Sequence, residues 1–246
     1  MAATAEAARL TEAHRLAQAS LGDEVVSQLL AAWQLVDVSR LDDTIGPWLQ
    51  IVLPILQGQR ASSATLAATY LSTFRSLELG DSVPGFSPVL AGPAPVEQLT
   101  TSLIVTGPAY LKSAMSRGVP LAKAAEAAAA QTAAAGMRHA LDGGRTTITG
   151  SIDADRRALG WARTTSAKPC AFCAMVASRG PIYKGRASAA FRPHDACHCQ
   201  PEPVYHRDAA WPSGSRKFRD LWDQEAQGLP SGDALNAFRR ALDAQR

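Results

Sequence analysis

Residues 169–199 read PCAFCAMVASRGPIYKGRASAAFRPHDACHC, and this stretch holds all four cysteines of the 246-residue chain. Its pattern is Cys170-x-x-Cys173 and then, after twenty residues, His194-x-x-Cys197-x-Cys199. A Cys-x-x-Cys turn brings two thiolates within reach of one ion, and a second close pair completes a tetrahedron. The stretch therefore predicts a small module that is folded around one structural zinc ion per chain.

The four cysteines are the simplest ligand set for this ion. Side chains in an extended segment repeat every second residue, so Cys197 and Cys199 are expected to point to the same face and His198 to the other. His194 either replaces one cysteine or donates to the ligands from outside, and the pattern leaves both alternatives open. Four protein ligands leave no open position for water, so we expect a structural metal and no enzyme.

Three other chemistries fit the residues less well. A redox Cys-x-x-Cys is expected after a βαβ pattern and leaves the second cysteine pair unexplained. A zinc deaminase shares the Pro-Cys-x-x-Cys half that begins at Pro169, but it also needs His-x-Glu, and His139 is followed by Ala-Leu. An HNH-type nuclease needs an asparagine near its histidine, whereas the chain has only Asn236.

Composition indicates a globular protein that is made in the cytosol. Hydrophobic residues make up 46% of the chain and charged residues 19%, and no signal peptide is recognisable at residues 1–20. The most apolar stretch, residues 47–56, contains two prolines and is too short to span a bilayer. Cysteines in a reducing compartment are more often metal ligands or redox thiols than disulfides. The net charge of +3 makes the protein only mildly basic.

Periodicity predicts a mainly α fold. Residues 1–144 are expected to form a helical domain, with a loop or linker at about 80–95 where prolines and glycines concentrate. Within that domain, Pro54 is expected to kink or end one helix, and the alanine-rich run before Gly136 predicts a closely packed helix that Gly143-Gly144 terminates.

The remaining chain is predicted to be a small α+β module and a tail. Residues 145–152, RTTITGSI, are rich in β-branched residues and indicate a short strand, and residues 161–165, WARTT, indicate a second. The zinc-binding module is expected to cover 145–206. Residues 207–246 are predicted to form a C-terminal tail of two short amphipathic helices.

The cysteine–histidine block resembles the C-terminal motif of the Mu F-like phage minor head proteins. The resemblance covers about residues 145–206, and it is closest in character to the branch from tailed phages of high-GC actinobacteria. The matching segments are Gly160-Trp-Ala-Arg163, Pro169-Cys-Ala-Phe-Cys-Ala-Met175, Gly180-Pro-Ile-Tyr183 and His194-Asp-Ala-Cys-His-Cys199.

This resemblance implies a structural protein of a tailed bacteriophage that acts in head assembly, inside the capsid or at the portal vertex of the virion. It implies the portal or major capsid protein as partner, a weak contact with DNA at most, no membrane and no small-molecule substrate. We expect a rigid face around Tyr183, Lys184 and Arg186 to be presented to such a partner. The alternative is a zinc-containing nucleic-acid-binding protein that contacts packaged or ejected DNA.

Overall fold

Three long helices form the body of the protein. The computed structural model describes residues 2–80, 86–166, 168–184, 190–208, 211–212 and 214–245. Apolar side chains of the three helices pack in one core, in which Trp33 meets Trp48 edge to face with ring centroids 5.6 Å apart. The long helices are α1 (Ala5–Trp33), α2 (Leu41–Leu79) and α5 (Leu121–Ala154).

Helix α2 continues through both of its prolines. We predicted that Pro54 kinks or ends a helix, but α2 runs unbroken from Leu41 to Leu79 with Pro47 and Pro54 inside it. Proline removes one backbone hydrogen bond. Fully buried side chains on both sides of Pro54, such as Val52 and Leu56, hold the helix against the core and offset that loss.

The segment between α2 and α5 is helical and irregular. Helix α3 (Val96–Ile104) leads into a π-helical turn (Val105–Ala109), which contains Gly107-Pro108, and then into α4 (Tyr110–Ser116). This π-turn interrupts the regular helix at Gly107-Pro108. A Cβ on Gly107 would lie 2.8 Å from Thr132 Oγ1, so glycine lets the turn approach α5.

Helix α5 is the central element of the fold, and its observed extent shows that two predictions were wrong. It continues through Gly143-Gly144 and through residues 145–152, which we had interpreted as a stop and a strand. The glycines are there for close packing, because a Cβ on Gly143 would lie 2.1 Å from the carbonyl oxygen of Arg60 in α2. The β-branched residues of 145–152 stay helical because Thr147, Ile148 and Ile152 are buried.

A three-stranded antiparallel sheet follows α5. Its strand order is β2-β1-β3, and Trp161 of β1 pairs with Ile182 of β2 and with Pro203 of β3. The strand predicted at 161–165 is confirmed by β1. The strands are β1 (Gly160–Thr164), β2 (Ile182–Tyr183) and β3 (Gln200–Val204).

A short helix and two C-terminal helices complete the fold. Leu221 of α7 and Phe238 of α8 pack in one cluster with Ala171 and Ala174 of α6, so the tail supports the helix that carries Cys173. The mainly α fold with a small α+β part and two short C-terminal helices is thereby confirmed. These helices are α6 (Ala171–Ala177), α7 (Ser215–Glu225) and α8 (Ser231–Ala244).

The division into regions 1–144, 145–206 and 207–246 stays a prediction. The predicted boundary at residue 144 lies inside α5, so one continuous helix joins the first two regions. None of the described helices combines the length and hydropathy that a membrane span requires.

Candidate metal centre

The Cys-x-x-Cys pair lies at the start of α6. Cys170 is the N-cap of this helix, and its Sγ accepts a hydrogen bond of 3.4 Å from the backbone N–H of Cys173. The helical turn places both sulfur atoms on one side, with Cys170 exposed and Cys173 buried. His194, Cys197 and Cys199 come from the segment that leads into β3.

The five predicted residues converge at one place. Cys173 Sγ lies 3.6 Å from Cys197 Sγ, and a cavity of about 120 Å³ is lined by all five residues. Their ligand atoms form two overlapping groups that share Cys173, and each group can hold a metal ion. The groups are Cys170, Cys173 and His194, and Cys173, Cys197 and Cys199.

His194 is oriented so that it can act as a metal ligand. Its Nε2 lies 3.1 Å from the Sγ atoms of both Cys170 and Cys173. Its Nδ1 is 2.6 Å from the carbonyl oxygen of Asp195, which accepts the hydrogen of this nitrogen and leaves Nε2 to face the thiols. Metal-binding histidines are held in this way by a backbone carbonyl. His198, in contrast, lies outside both groups, with its Nε2 3.8 Å from Asp23 Oδ1.

The donor set fits zinc. Thiolate sulfur and imidazole nitrogen are the ligands of structural zinc sites, with a Zn–S distance of roughly 2.3 Å. Two sulfurs on one tetrahedral ion are then roughly 3.8 Å apart. The 3.6 Å between Cys173 Sγ and Cys197 Sγ is close to this separation. The cluster can therefore accept a tetrahedral ion with small shifts of its side chains.

Helix α5 holds the second ligand segment in place. Arg145, which is 2% exposed, donates from Nε to the carbonyl oxygen of Cys199 at 3.1 Å and from Nη2 to that of Cys197. Arg138 forms an ion pair of 2.6 Å with Asp195. The turn between these contacts contains Ala196 at φ +58°, a left-handed conformation that a non-glycine residue adopts only where its surroundings hold it.

A second buried arginine lies beside the cluster. Arg163 of β1 is 3% exposed, and its guanidinium carbon lies 3.8 Å from the ring centroid of Phe191, which packs against the three buried cysteines. The sequence reasoning missed both Arg145 and Arg163 as parts of the centre. Arg163 ends the Gly160–Arg163 segment of the resemblance, which was a usable signal, but Arg145 lies in a helix that was interpreted as a strand.

The pKa values of the three buried thiols depend on one another through their hydrogen bonds. Hydrogen bonds from Cys173 and Cys199, together with the charge of Arg145, hold the pKa of Cys197 far below its ordinary value. Hydrogen bonding to Cys197 raises the pKa of Cys173. The hydrogen bond with Cys173 lowers the pKa of Cys199, but its bond to Cys197 and burial raise it to about 12. Metal binding would release the protons of these thiols, so metal affinity should rise with pH.

The predicted contact face is only partly described. Tyr183 is half-buried, with the guanidinium of Arg207 5.1 Å from its ring centroid. Lys184 donates from Nζ to the carbonyl oxygen of Asp155, so its charge is held against the body of the protein. Arg186 lies outside the described residues.

Comparison with known proteins gives one family. The family model described as VG15 protein matches residues 1–224, which cover the helical body, the sheet and the cysteine–histidine cluster. Searches of curated proteins and of solved structures return no match.

Proposed function

Because the chain belongs to the VG15 protein family, a family of phage proteins, we propose that it is a minor head protein of a tailed phage. In this proposal it acts in head assembly near the portal, and one structural zinc ion stabilises its C-terminal part. It resides in the virion, inside the capsid or at the portal vertex.

The observation that carries this proposal is that the cysteines and histidine of the sequence resemblance also form the candidate metal centre. The residues on which the Mu F-like resemblance rests, Cys170, Cys173, His194, Cys197 and Cys199, line a single cavity in a chain of a phage family. The order of these residues in the chain and their positions in the fold agree with one another. Their agreement supports a minor head protein over an unrelated phage protein.

Zinc would have a structural role here. The segments 168–184 and 190–199 contain one short helix and one two-residue strand, so they bury little apolar surface of their own. Structural zinc in such segments contributes on the order of 10 kcal/mol to folding. The cysteines and His194 would hold the ion and fix the start of α6 to the segment before β3. We propose no catalytic role.

The helical body offers a surface for docking. A groove of about 340 Å³ between α2 and the π-turn is lined by apolar side chains, among them Ile45, Leu49 and Ile104, and by the ion pair of Asp42 and Lys112. Ile104 is 36% exposed and Val105 beside it is 59% exposed. We propose that the portal or major capsid protein covers this groove.

The test is complementation of a phage that lacks the gene. Wild-type protein is expected in purified particles by mass spectrometry and should restore viable heads. Ile104→Asp should reduce incorporation, whereas Glu97→Lys, a charge change in the same helix, should not. Absence of the wild-type protein from purified particles and from head-assembly intermediates would contradict the proposal.

A separate experiment tests the proposed zinc site. Purified wild-type protein should contain one zinc ion per chain by elemental mass spectrometry. His194→Asn should lose zinc, and His198→Asn is the matched control, since His198 lies in the same segment outside both ligand groups. Equal zinc content in the two variants would exclude His194 as a ligand.

Nucleic-acid binding is the alternative function that the same protein preparation can test. Binding through several phosphates weakens steeply as salt rises, because counterions are released, whereas apolar docking does not. A steep salt dependence of DNA binding by the wild-type protein would favour the alternative.

A further inference from the structure

Arg163 carries a buried positive charge that no carboxylate neutralises among the described residues. Its Nε and Nη1 are inaccessible to water and have no hydrogen-bond partner, while Nη2 donates to the carbonyl oxygen of Arg192 at 3.3 Å. A buried charge without a counter-charge costs several kcal/mol. Stacking on Phe191 at 3.8 Å recovers only part of such a cost.

Arg145, the other buried arginine of this region, is satisfied in a different way. It forms an ion pair of 2.9 Å with Asp142 and donates to the carbonyl oxygens of Cys197 and Cys199. Its charge is therefore already balanced by a carboxylate. Within the part of the chain that the structure describes, Arg163 has no carboxylate partner.

The thiol cluster is the neighbouring source of negative charge. Phe191 packs against Cys173, Cys197 and Cys199, and Arg163 stacks on the same ring. Arg163 also lies opposite Pro201 in the sheet, two residues after Cys199 in the chain. A divalent ion with three thiolates and one imidazole has a net charge of −1, and one with four thiolates has −2. Arg163, a buried arginine without a carboxylate partner among the described residues, matches the first case.

We infer that Arg163 is the counter-charge of an anionic metal centre in which His194 and three cysteines bind the ion. This inference rests on the metal site proposed above and extends it to the charge of the site. Arg163 acts as a positioning residue: it touches no metal, and it stabilises the thiolate form of the ligands. A net charge of −1 requires one imidazole ligand. His194, whose Nε2 lies 3.1 Å from two sulfurs, is oriented to provide it.

A purely structural role makes a different prediction. If Arg163 only fills space beside Phe191, its removal destabilises the metal-free and metal-bound protein equally. If it is a counter-charge, its removal leaves the thiolates of the metal-bound protein unbalanced, so the metal-bound protein loses more stability than the metal-free one. The two roles therefore differ in the effect on metal affinity.

The experiment measures zinc dissociation constants by competition with a chromophoric chelator. Arg163→Met, which keeps the apolar stem and removes the charge, should weaken zinc binding about ten- to hundred-fold, as loss of outer contacts to metal ligands does. Arg163→Lys should retain most of the affinity. The control is Arg179→Met, because Arg179 is exposed and contacts Met175 Sδ at 3.5 Å; its affinity should equal that of wild type.

The unfolding of each variant in excess chelator gives the second readout. Arg163→Met should lose more stability with zinc bound than in the metal-free state, each compared with wild type in the same state. An unchanged zinc affinity in Arg163→Met, or an equal loss of affinity in Arg163→Lys, would overturn the inference. Wild-type protein that binds no zinc would instead refute the metal site itself, and neither result bears on whether the protein is found in phage heads.

Discussion

Arg145, in the middle of α5, donates a hydrogen bond of 3.1 Å to the carbonyl oxygen of Cys199. The same guanidinium also donates to the carbonyl oxygen of Cys197. One side chain of the helical body thus holds both residues of the Cys-x-Cys pair. The ligand segment is built onto α5, and its position depends on the packing of α5 against α1 and α2.

Replacing Arg145 by Met should therefore destabilise the protein and weaken metal binding together. The substitution leaves two carbonyl oxygens without donors, and we expect the free energy of unfolding to fall by about 3 kcal/mol. Urea denaturation with and without zinc measures both effects. Arg219→Met is the control, since Arg219 forms only an exposed pair with Asp223. A stability loss without any change in zinc affinity would show that the ligand segment is positioned by other contacts.

Two glycines of α5 should respond in opposite directions to alanine. Gly143→Ala places a methyl group 2.1 Å from the carbonyl oxygen of Arg60, which should cost about 3 kcal/mol or force α2 and α5 apart. A Cβ on Gly150 meets nothing within 4 Å, so Gly150→Ala should stabilise the helix by about 0.5 to 1 kcal/mol. Thermal unfolding of the two variants gives the comparison. Equal effects would contradict the close packing at Gly143.

These glycines also show which features of the fold could not be predicted from the sequence. Apolar periodicity was sufficient for the mainly α fold and for the two C-terminal helices, because it reports which face of a helix is buried. The role of these glycines depends on residues far away in the chain, because Gly143 faces Arg60 and Gly144 faces Gln18 and Ser63. Local propensity alone predicts a helix end at this pair. The β-branched run 145–152 was misinterpreted for the same reason.

The candidate site was more predictable than its surroundings. Cysteine and histidine spacing is a local property, so Cys170, Cys173, His194, Cys197 and Cys199 could be named from the pattern alone. The buried arginines could not, because their role depends on which strand and helix pack beside the cluster. The burial of Asp155, which is 4% exposed, could not be predicted either, because it depends on Arg75 and Tyr205 from distant parts of the chain.

Cys173→Ser should abolish zinc binding, because Cys173 belongs to both ligand groups. Cys170→Ser should only weaken binding, since Cys170 is exposed and belongs to one group. Elemental analysis after gel filtration measures zinc per chain, and chelator competition ranks the affinities. Both variants should keep most of their helix by circular dichroism, because the helices of the body do not depend on the ion. Full zinc content in Cys173→Ser would refute the proposed centre.

Asp155→Asn should cost about 3 to 5 kcal/mol, because it leaves Arg75 buried opposite a neutral group. Arg75 Nε lies 2.9 Å from Asp155 Oδ2, and Tyr205 donates to the same oxygen at 3.2 Å. Burial acts to raise the pKa of Asp155, but the hydrogen bond and charge of Arg75 hold it below its ordinary value. This stabilisation is therefore present above about pH 4 and disappears as pH falls through the lowered pKa.

The measurement for Asp155 is urea unfolding at pH 7 and at decreasing pH. The difference between wild type and Asp155→Asn should shrink on acidification. Asp153→Asn is the matched control on the same helix, since Asp153 is exposed, and its stability should stay within about 0.5 kcal/mol of wild type. A difference between wild type and Asp155→Asn that does not change with pH would exclude the ion pair as its source.

His14 should make the protein sensitive to mild acid. It is 6% exposed, stacks on Tyr70 with ring centroids 4.3 Å apart, and its Nε2 has no partner among the described residues. Burial lowers the pKa of His14 to about 3. The folded protein therefore keeps this ring neutral, while the unfolded chain takes up a proton as pH falls below about 6.5.

The free energy of unfolding should consequently decrease by about 2 kcal/mol between pH 7.5 and pH 5 through this group alone. His14→Phe keeps a ring against Tyr70 and has no proton to bind, so its stability should decrease less over the same range. Urea unfolding of both proteins in excess chelator removes the pH dependence of metal binding, in which protons compete with the ion for the thiols. The two proteins share every other titrating group. The difference between the pH dependences of their free energies of unfolding is therefore due to His14. Parallel pH profiles would mean that His14 is protonated in the folded protein and that the ring is less buried than the packing of α1 on α2 requires.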